Sequence, residues 1–166
     1  FKYDLENYLK RLGPNAPVQT LAEILESGQF HPSIRDQLRF FAQFSGPLEN
    51  YRNFQQSQAN RQRLQSAVEE LMRQHRLDAL VYPTWSNPPR RIGDLESPHG
   101  DNSQILAPQT GFPAITVPMG YVRGRLPVGL QLVGLAWTEA TLIKLAYAYE
   151  HATQHRVAPR TTPPLP

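Results

Sequence analysis

The sequence has 166 residues, 40% hydrophobic and 19% charged, with sixteen prolines, ten glycines and no cysteine, about one domain's worth of soluble chain. The missing cysteine excludes a disulfide framework, a thiolate metal site and a cysteine nucleophile, and suits a reducing, cytoplasmic setting. Seventeen Lys and Arg against fourteen Asp and Glu leave +3, divided as +1 over residues 1–78 and +2 over residues 79–166, too even for a nucleic-acid surface, and no apolar run reaches the ~18 residues of a membrane span.

The chain opens at Phe1 inside an amphipathic pattern and has no initiator Met, which reads as a piece of something longer. Leu5, Tyr8, Leu9 and Leu12 recur at helical spacing before Gly13-Pro14 and predict a helix over residues 4–12. Thr20-Leu21-Ala22-Glu23 has capping-box spacing and starts a short helix that Gly28 ends. Ser33 and Asp36 repeat that spacing, and Ile34, Leu38, Phe41 and Phe44 form one stripe from Pro32 to Ser45, closed by Gly46-Pro47. Leu48 to His75 holds no Gly or Pro and predicts the longest helix, with a polar middle from Phe54 to Arg63 that crosses solvent or packs on few neighbours.

Asp78 to Thr84 is a short apolar run ended by a proline, the form of a strand covered on both faces. Thr84 to Phe112 is rich in Pro and Gly and has no period, and loops of that length are functional or disordered. Ile115 and Val117, then Val128, Leu130 and Leu132, alternate with smaller or polar residues and predict an antiparallel hairpin, with Met119 to Pro127 as its exposed connection. Gln131 falls on the face opposite Val128, Leu130 and Leu132, where a buried amide must be hydrogen-bonded and acts structurally. A helix follows Thr138, and four prolines in the last eight residues form an extended tail close to the natural C-terminus.

Catalytic signals are scarce. None of the eight serines stands in a Ser-Ser pair or a Gly-x-Ser-x-Gly elbow, and the three lysines lie on amphipathic helices as solvated charges. Ser86, Ser97 and Ser103 are loop-borne and are the serines left as candidates. His151 and His155 are four apart but lack the acid of an HExxH site and read as a solvated helix end, while His99 beside Gly100-Asp101 reads as a polar turn. Asp94, Glu96 and Asp101 have no spacing that dictates a common face, and no Gly-rich phosphate cradle occurs, so neither a metal nor a cofactor is expected.

Thr110-Gly111-Phe112-Pro113-Ala114-Ile115-Thr116-Val117-Pro118 followed by Leu126-Pro127-Val128-Gly129-Leu130-Gln131-Leu132-Val133-Gly134 resembles the C-terminal portion of the amidase signature family. Asp78 to Thr84 resembles that family's strand before a substrate-side loop, and Phe1 to Leu5 with Leu21 to Ile24 resembles its preceding helices. The resemblance implies an α/β/α fold with a mixed sheet flanked by helices, of which residues 1–166 are a C-terminal part: 1–77 mainly helical, then strand, long loop, hairpin, helix and tail. It also implies amide hydrolysis by a Ser-cisSer-Lys triad held in an upstream Gly-Gly-Ser-Ser-Gly-Gly-type stretch, so this chain carries no catalytic residue and is inactive alone. The substrate-side segments make Trp85, Asp101 and Asn102 the pocket candidates. Many relatives have Asn three residues before the motif's glycine, where this chain has Pro108, and no contact is carried over there. The expected partners are a small-molecule amide, the N-terminal half of the same protein and a second copy through an exposed sheet edge, with no nucleic acid and no membrane. The alternative is a non-catalytic binding or assembly module such as a segment of an amidotransferase-like subunit.

Overall fold

The computed structural model describes residues 1–159, so the end of the expected tail, residues 160–166, lies outside the described residues. The chain divides into two compact units, Phe1–Phe54 and Gln55–Pro166.

The first unit contains helices α1 (Lys2–Arg11), α2 (Leu21–Ser27) and α3 (Arg35–Ala42), with 3-10 turns at Pro32–Ile34 and Leu48–Asn50. Helix α2 starts at the expected box. The Glu23 N–H donates to Thr20 Oγ1 at 3.2 Å, while the Glu23 carboxylate accepts the Gln19 N–H at 2.7 Å, one residue earlier than the motif's usual donor. Gly28 ends it in the left-handed region, φ +64°. Leu9, Leu21 and Leu38 are buried, and edge-on or tilted contacts link Phe1, Phe40, Phe41, Phe44 and Tyr51 at ring separations of 5.0–5.5 Å.

Two helical expectations need correction. The Pro32–Ser45 segment begins as a 3-10 turn, its α-helix ends at Ala42, and its cap is His31, whose Nδ1 accepts the Ser33 N–H at 3.3 Å. The same ring takes the Ser33 hydroxyl at 2.8 Å, so the imidazole supplies the acceptor expected from Ser33. The Leu48–His75 segment is interrupted at Tyr51, which is extended at φ −91°, ψ 111°. The long helix is therefore α4, Arg52–Gln74, 23 residues and about 34 Å at 1.5 Å per residue. From Gln55 to Arg63 only Ala59 is partly buried, which agrees with the polar stretch lying in solvent.

The second unit is built on a three-stranded antiparallel sheet of β1 (Leu80–Pro83), β2 (Ala114–Val122) and β3 (Leu126–Val133), in the order β1-β3-β2. Strand alternation sends successive β3 residues to opposite faces. Val133 packs with Val68 and Met72 of α4 and with Phe112, whereas Leu132 packs with Val117 and with Leu142 and Ala146 of α6 (Glu139–Thr153). Helix, sheet and helix thus form the α/β/α layering, and this unit is α/β as expected. No parallel pairing occurs among the described residues.

The hairpin is longer than its pattern suggests. Register continues from Pro118 through a bulge to Gly120, at φ +131°, and on to Val122 opposite Leu126. The connection shrinks to Arg123–Arg125, where Arg123 and Gly124 both turn left-handed at φ +51° and +70°. Strand β1 is not covered on both faces: Val81 is 59% exposed, because α6 packs mainly on β2 and leaves this edge strand bare on that side.

Candidate functional site

Several positions of the Thr110–Gly134 pattern have an identifiable physical cause. The Thr110 hydroxyl donates to the Leu106 carbonyl at 2.8 Å and accepts the Phe112 N–H at 3.3 Å. Gly111 sits at φ +75°, ending the short helix α5 (Ala107–Thr110), and Phe112 enters the core at 4% exposure. Arg61, in the polar stretch of α4, donates to the Pro108 and Gln109 carbonyls at 2.7 and 3.2 Å and holds the end of α5. Gly129 is forced by space: a Cβ there would lie 2.6 Å from Thr116 Cγ2 and 2.8 Å from Thr84 Oγ1. At Gly134 a Cβ would run into the Thr138 hydroxyl.

The segment expected to be a long loop is a braced strap. After β1 the chain stays on the sheet for one more bond, Thr84 N–H to the Gly129 carbonyl at 2.8 Å. It then pairs with residues 100–102: Asn102 N–H donates to the Thr84 carbonyl at 2.8 Å, Ser86 N–H to the Gly100 carbonyl at 3.2 Å, and Trp85 bridges Asp101. Gly100 allows this approach, since a Cβ would fall 2.9 Å from Ser86 Cβ.

Between this strap and β3 lies a cavity of about 510 Å³, within the range of pockets that take small molecules. Trp85, Asn87, Pro88, Pro89, Arg90 and His99 form the strap wall, and Pro127, Val128 and Gly129 form the sheet wall. Of the three residues marked from the sequence, Trp85 lines the cavity and is 53% exposed. Asp101 and Asn102 are not among its lining residues and are engaged in the strap itself. Asn102 Nδ2 donates to the Pro83 carbonyl at 2.9 Å, and its Oδ1 accepts the Ser86 hydroxyl at 2.8 Å. The Asp101 carboxylate accepts the Ser103 N–H at 3.0 Å, the Gln104 amide at 2.8 Å and the Ser103 hydroxyl. Those bonds, the Ser103 hydroxyl foremost, hold Asp101 below the ordinary aspartate pKa against an opposing contribution from burial. Asp94 is lowered likewise, chiefly by the Ser97 hydroxyl and then by the Ser97 and Glu96 N–H groups.

The cavity residues Arg90 and His99 were not marked as site candidates from the sequence. The available signal was a Trp within a run of prolines followed by a cation, and it named the loop rather than the side chains. The three loop serines all donate within the strap, Ser86 to Asn102, Ser97 to Asp94 and Ser103 to Asp101, and not to a Lys or His base. The exposed His31–Ser33 pair is a helix cap. His151 and His155 lie against different tyrosines, Tyr147 at 5.8 Å and Tyr149 at 6.2 Å. No three His, Asp or Glu side chains are grouped to hold a metal ion among the described residues. No helix there is long and apolar enough to cross a membrane.

Gln131 departs from expectation in one respect. It is 5% exposed and lies across from Tyr82 and Thr116, yet its Oε1 and the Tyr82 hydroxyl are both buried without a hydrogen-bond partner among the described residues. Burial raises the Tyr82 pKa.

The family model described as Amidase matches residues 6–143. A glutamyl-tRNA(Gln) amidotransferase subunit from Oceanobacillus iheyensis is 31% identical over 126 residues, and its counterpart from Geobacillus thermodenitrificans is 34% identical over 126 residues; in each case the match takes in 73% of this chain and 25% of the relative. The X-ray structure of native peptide amidase from Stenotrophomonas maltophilia superposes with a TM-score of 0.75 at 32% identity, over 96% of this chain and 33% of that one. The chain thus spans a quarter of the length of these curated relatives and a third of that solved structure. With a family match running from α1 to α6 and a shared fold across nearly every described element, the chain belongs to the amidase signature family.

Proposed function

We propose that this chain is the C-terminal segment of an enzyme that hydrolyses carboxylic amides, with the Ser-cisSer-Lys residues supplied upstream and the strap cavity serving as one wall of the substrate site. The observation that carries this reading is the cavity itself. In this member of the family, the strap after β1 and the glycine of β3 border a space of small-molecule size that Trp85 helps to line. Asp101 and Asn102 act as positioning residues, since their hydrogen bonds hold the strap on which Trp85 is carried. The serines at hand are engaged with carboxylates and an amide, which supports an outside nucleophile. Purified alone, the chain releases no ammonia from simple aliphatic or aryl amides; turnover above background would place a nucleophile inside it and overturn this assignment. Grafted in place of the matching third of the Stenotrophomonas peptide amidase, it supports turnover, and Trp85→Ala in that chimera raises KM several-fold with a smaller change in kcat.

The matches to amidotransferase subunits favour a second reading, in which the chain is a non-catalytic segment of a larger complex of several chains. Association with the N-terminal half of the protein, or with a second copy through a sheet edge, belongs to the same test. Pro83 on β1 and Pro118 beside the β2 bulge each lack an N–H for edge pairing. Light scattering that returns the 18.9 kDa monomer argues against obligatory pairing, and a stable dimer argues for it.

A further inference from the structure

The cavity has an electrostatic asymmetry that the assignment to amide chemistry does not use. Its lining is mostly apolar, Trp85 with Pro88, Pro89 and Pro127, but Arg90 lines the same space and is the one Lys or Arg among its lining residues. That cation is incompletely matched. Its Nη1 donates to the Leu95 carbonyl at 3.0 Å, whereas its Nε–H is buried and has no partner among the described residues. No carboxylate of a described residue lies within ion-pair distance of it. Asp94 is near enough to feel its charge, but the Asp94 oxygens are taken by Ser97 and Glu96. A guanidinium is permanently charged and its fork of N–H donors is shaped to receive a planar carboxylate.

We infer that the strap cavity selects an amide that carries a free carboxylate on a flat apolar body, with the ring against Trp85 and the prolines and the carboxylate on Arg90. The inference rests on the cavity being the substrate wall and adds the substrate class, making Arg90 a specificity-determining residue. The volume of about 510 Å³ accommodates a ring and a short acid-bearing arm. His99 lies on the same wall.

The test uses two probes of one shape, N-benzoylglycine and its neutral carboxamide, titrated into the full 166-residue chain. The readout is the indole N–H resonance of Trp85, with Trp137, 91% exposed and outside the cavity, as internal control. The expected result is that the acid binds about tenfold or more tightly than the carboxamide, as a charge-assisted contact provides. Arg90→Gln removes that preference, while Arg90→Lys retains part of it. If both probes move Trp85 with equal affinity and Arg90→Gln changes neither, the carboxylate selection is wrong and the substrate wall stands. If neither probe moves Trp85, both fail. Should Arg90→Gln not fold, the native chain still decides: affinity for the acid must fall between 0.05 and 0.5 M salt while that for the carboxamide stays level, and a salt-independent acid overturns the inference.

Discussion

Gln131 and Tyr82 are neighbours across β1 and β3, and each buries a polar atom that no described residue satisfies. An unmade hydrogen bond inside a protein costs about 1–3 kcal/mol, and an apolar group of the same shape avoids that cost. Gln131→Met is therefore expected to raise stability in urea denaturation by about 1 kcal/mol; a loss of that size would mean that Oε1 is bonded after all. That Gln131 points away from Leu130 and Leu132 was legible in the alternation, but its partners were not, since they come from strands 15 and 49 residues away in register. Asp101 makes a second residue-scale prediction. Its folded pKa is lowered, so its contribution to stability is present above the unfolded value, about 3.9, and is lost as pH falls through the folded one. The strap should thus hold at pH 5 and loosen below about pH 4, with the Trp85 indole resonance moving in acid and Asp101→Asn flattening the change. Movement already complete at pH 5 would implicate a different group.

Among the elements, a stop signal immediately beside the helix made its end readable, whereas Gly46-Pro47 stands four residues past the end of α3 at Ala42 and did not mark it. Gly13-Pro14 lies just beyond α1, Thr20 and Gly28 bracket α2, and Thr138 precedes α6. Interruptions with no Gly or Pro, such as Tyr51 between the 3-10 turn and α4, were not readable. There the aromatic side chain is held by the preceding loop, its hydroxyl accepting the Ser45 N–H at 2.7 Å, a contact that competes with helix continuation. The hairpin shows the same limit, because pairing through the Gly120 bulge depends on the partner strand. Helix α6 is attached through Leu142, 2% exposed, against Val117 and Leu132. Leu142→Ala is expected to cost about 2–5 kcal/mol in the same denaturation experiment; a loss under 1 kcal/mol would show that α6 is not anchored there.

At the scale of the whole molecule, the chain corresponds to a third of the solved peptide amidase and leaves apolar side chains in the open, Val81 at 59%, Ile143 at 59% and Tyr147 at 69%. Exposed apolar side chains bind hydrophobic dyes. Val81→Lys should lower the dye signal while changing stability by no more than about 0.5 kcal/mol, as is usual at an exposed position; an unchanged signal would locate the dye elsewhere. The sequence by itself determined the family through two adjacent motifs, whose glycines and alternation answer to constraints seen in the structure: a left-handed φ at Gly111, no room for a Cβ at Gly129 beside Thr116 and Thr84, and one face of β3 to each helix layer. It also marked Trp85 and the segment around Asp101. Only the tertiary structure decided that this segment is a braced strap, that Asp101 and Asn102 hold it while Trp85 and Arg90 face a cavity, and that β1 is bare on one side. Those features come from pairings between residues far apart in the chain, Thr84 with Gly129 and Ser86 with Gly100, and neither helical nor strand periodicity records which distant segments will meet.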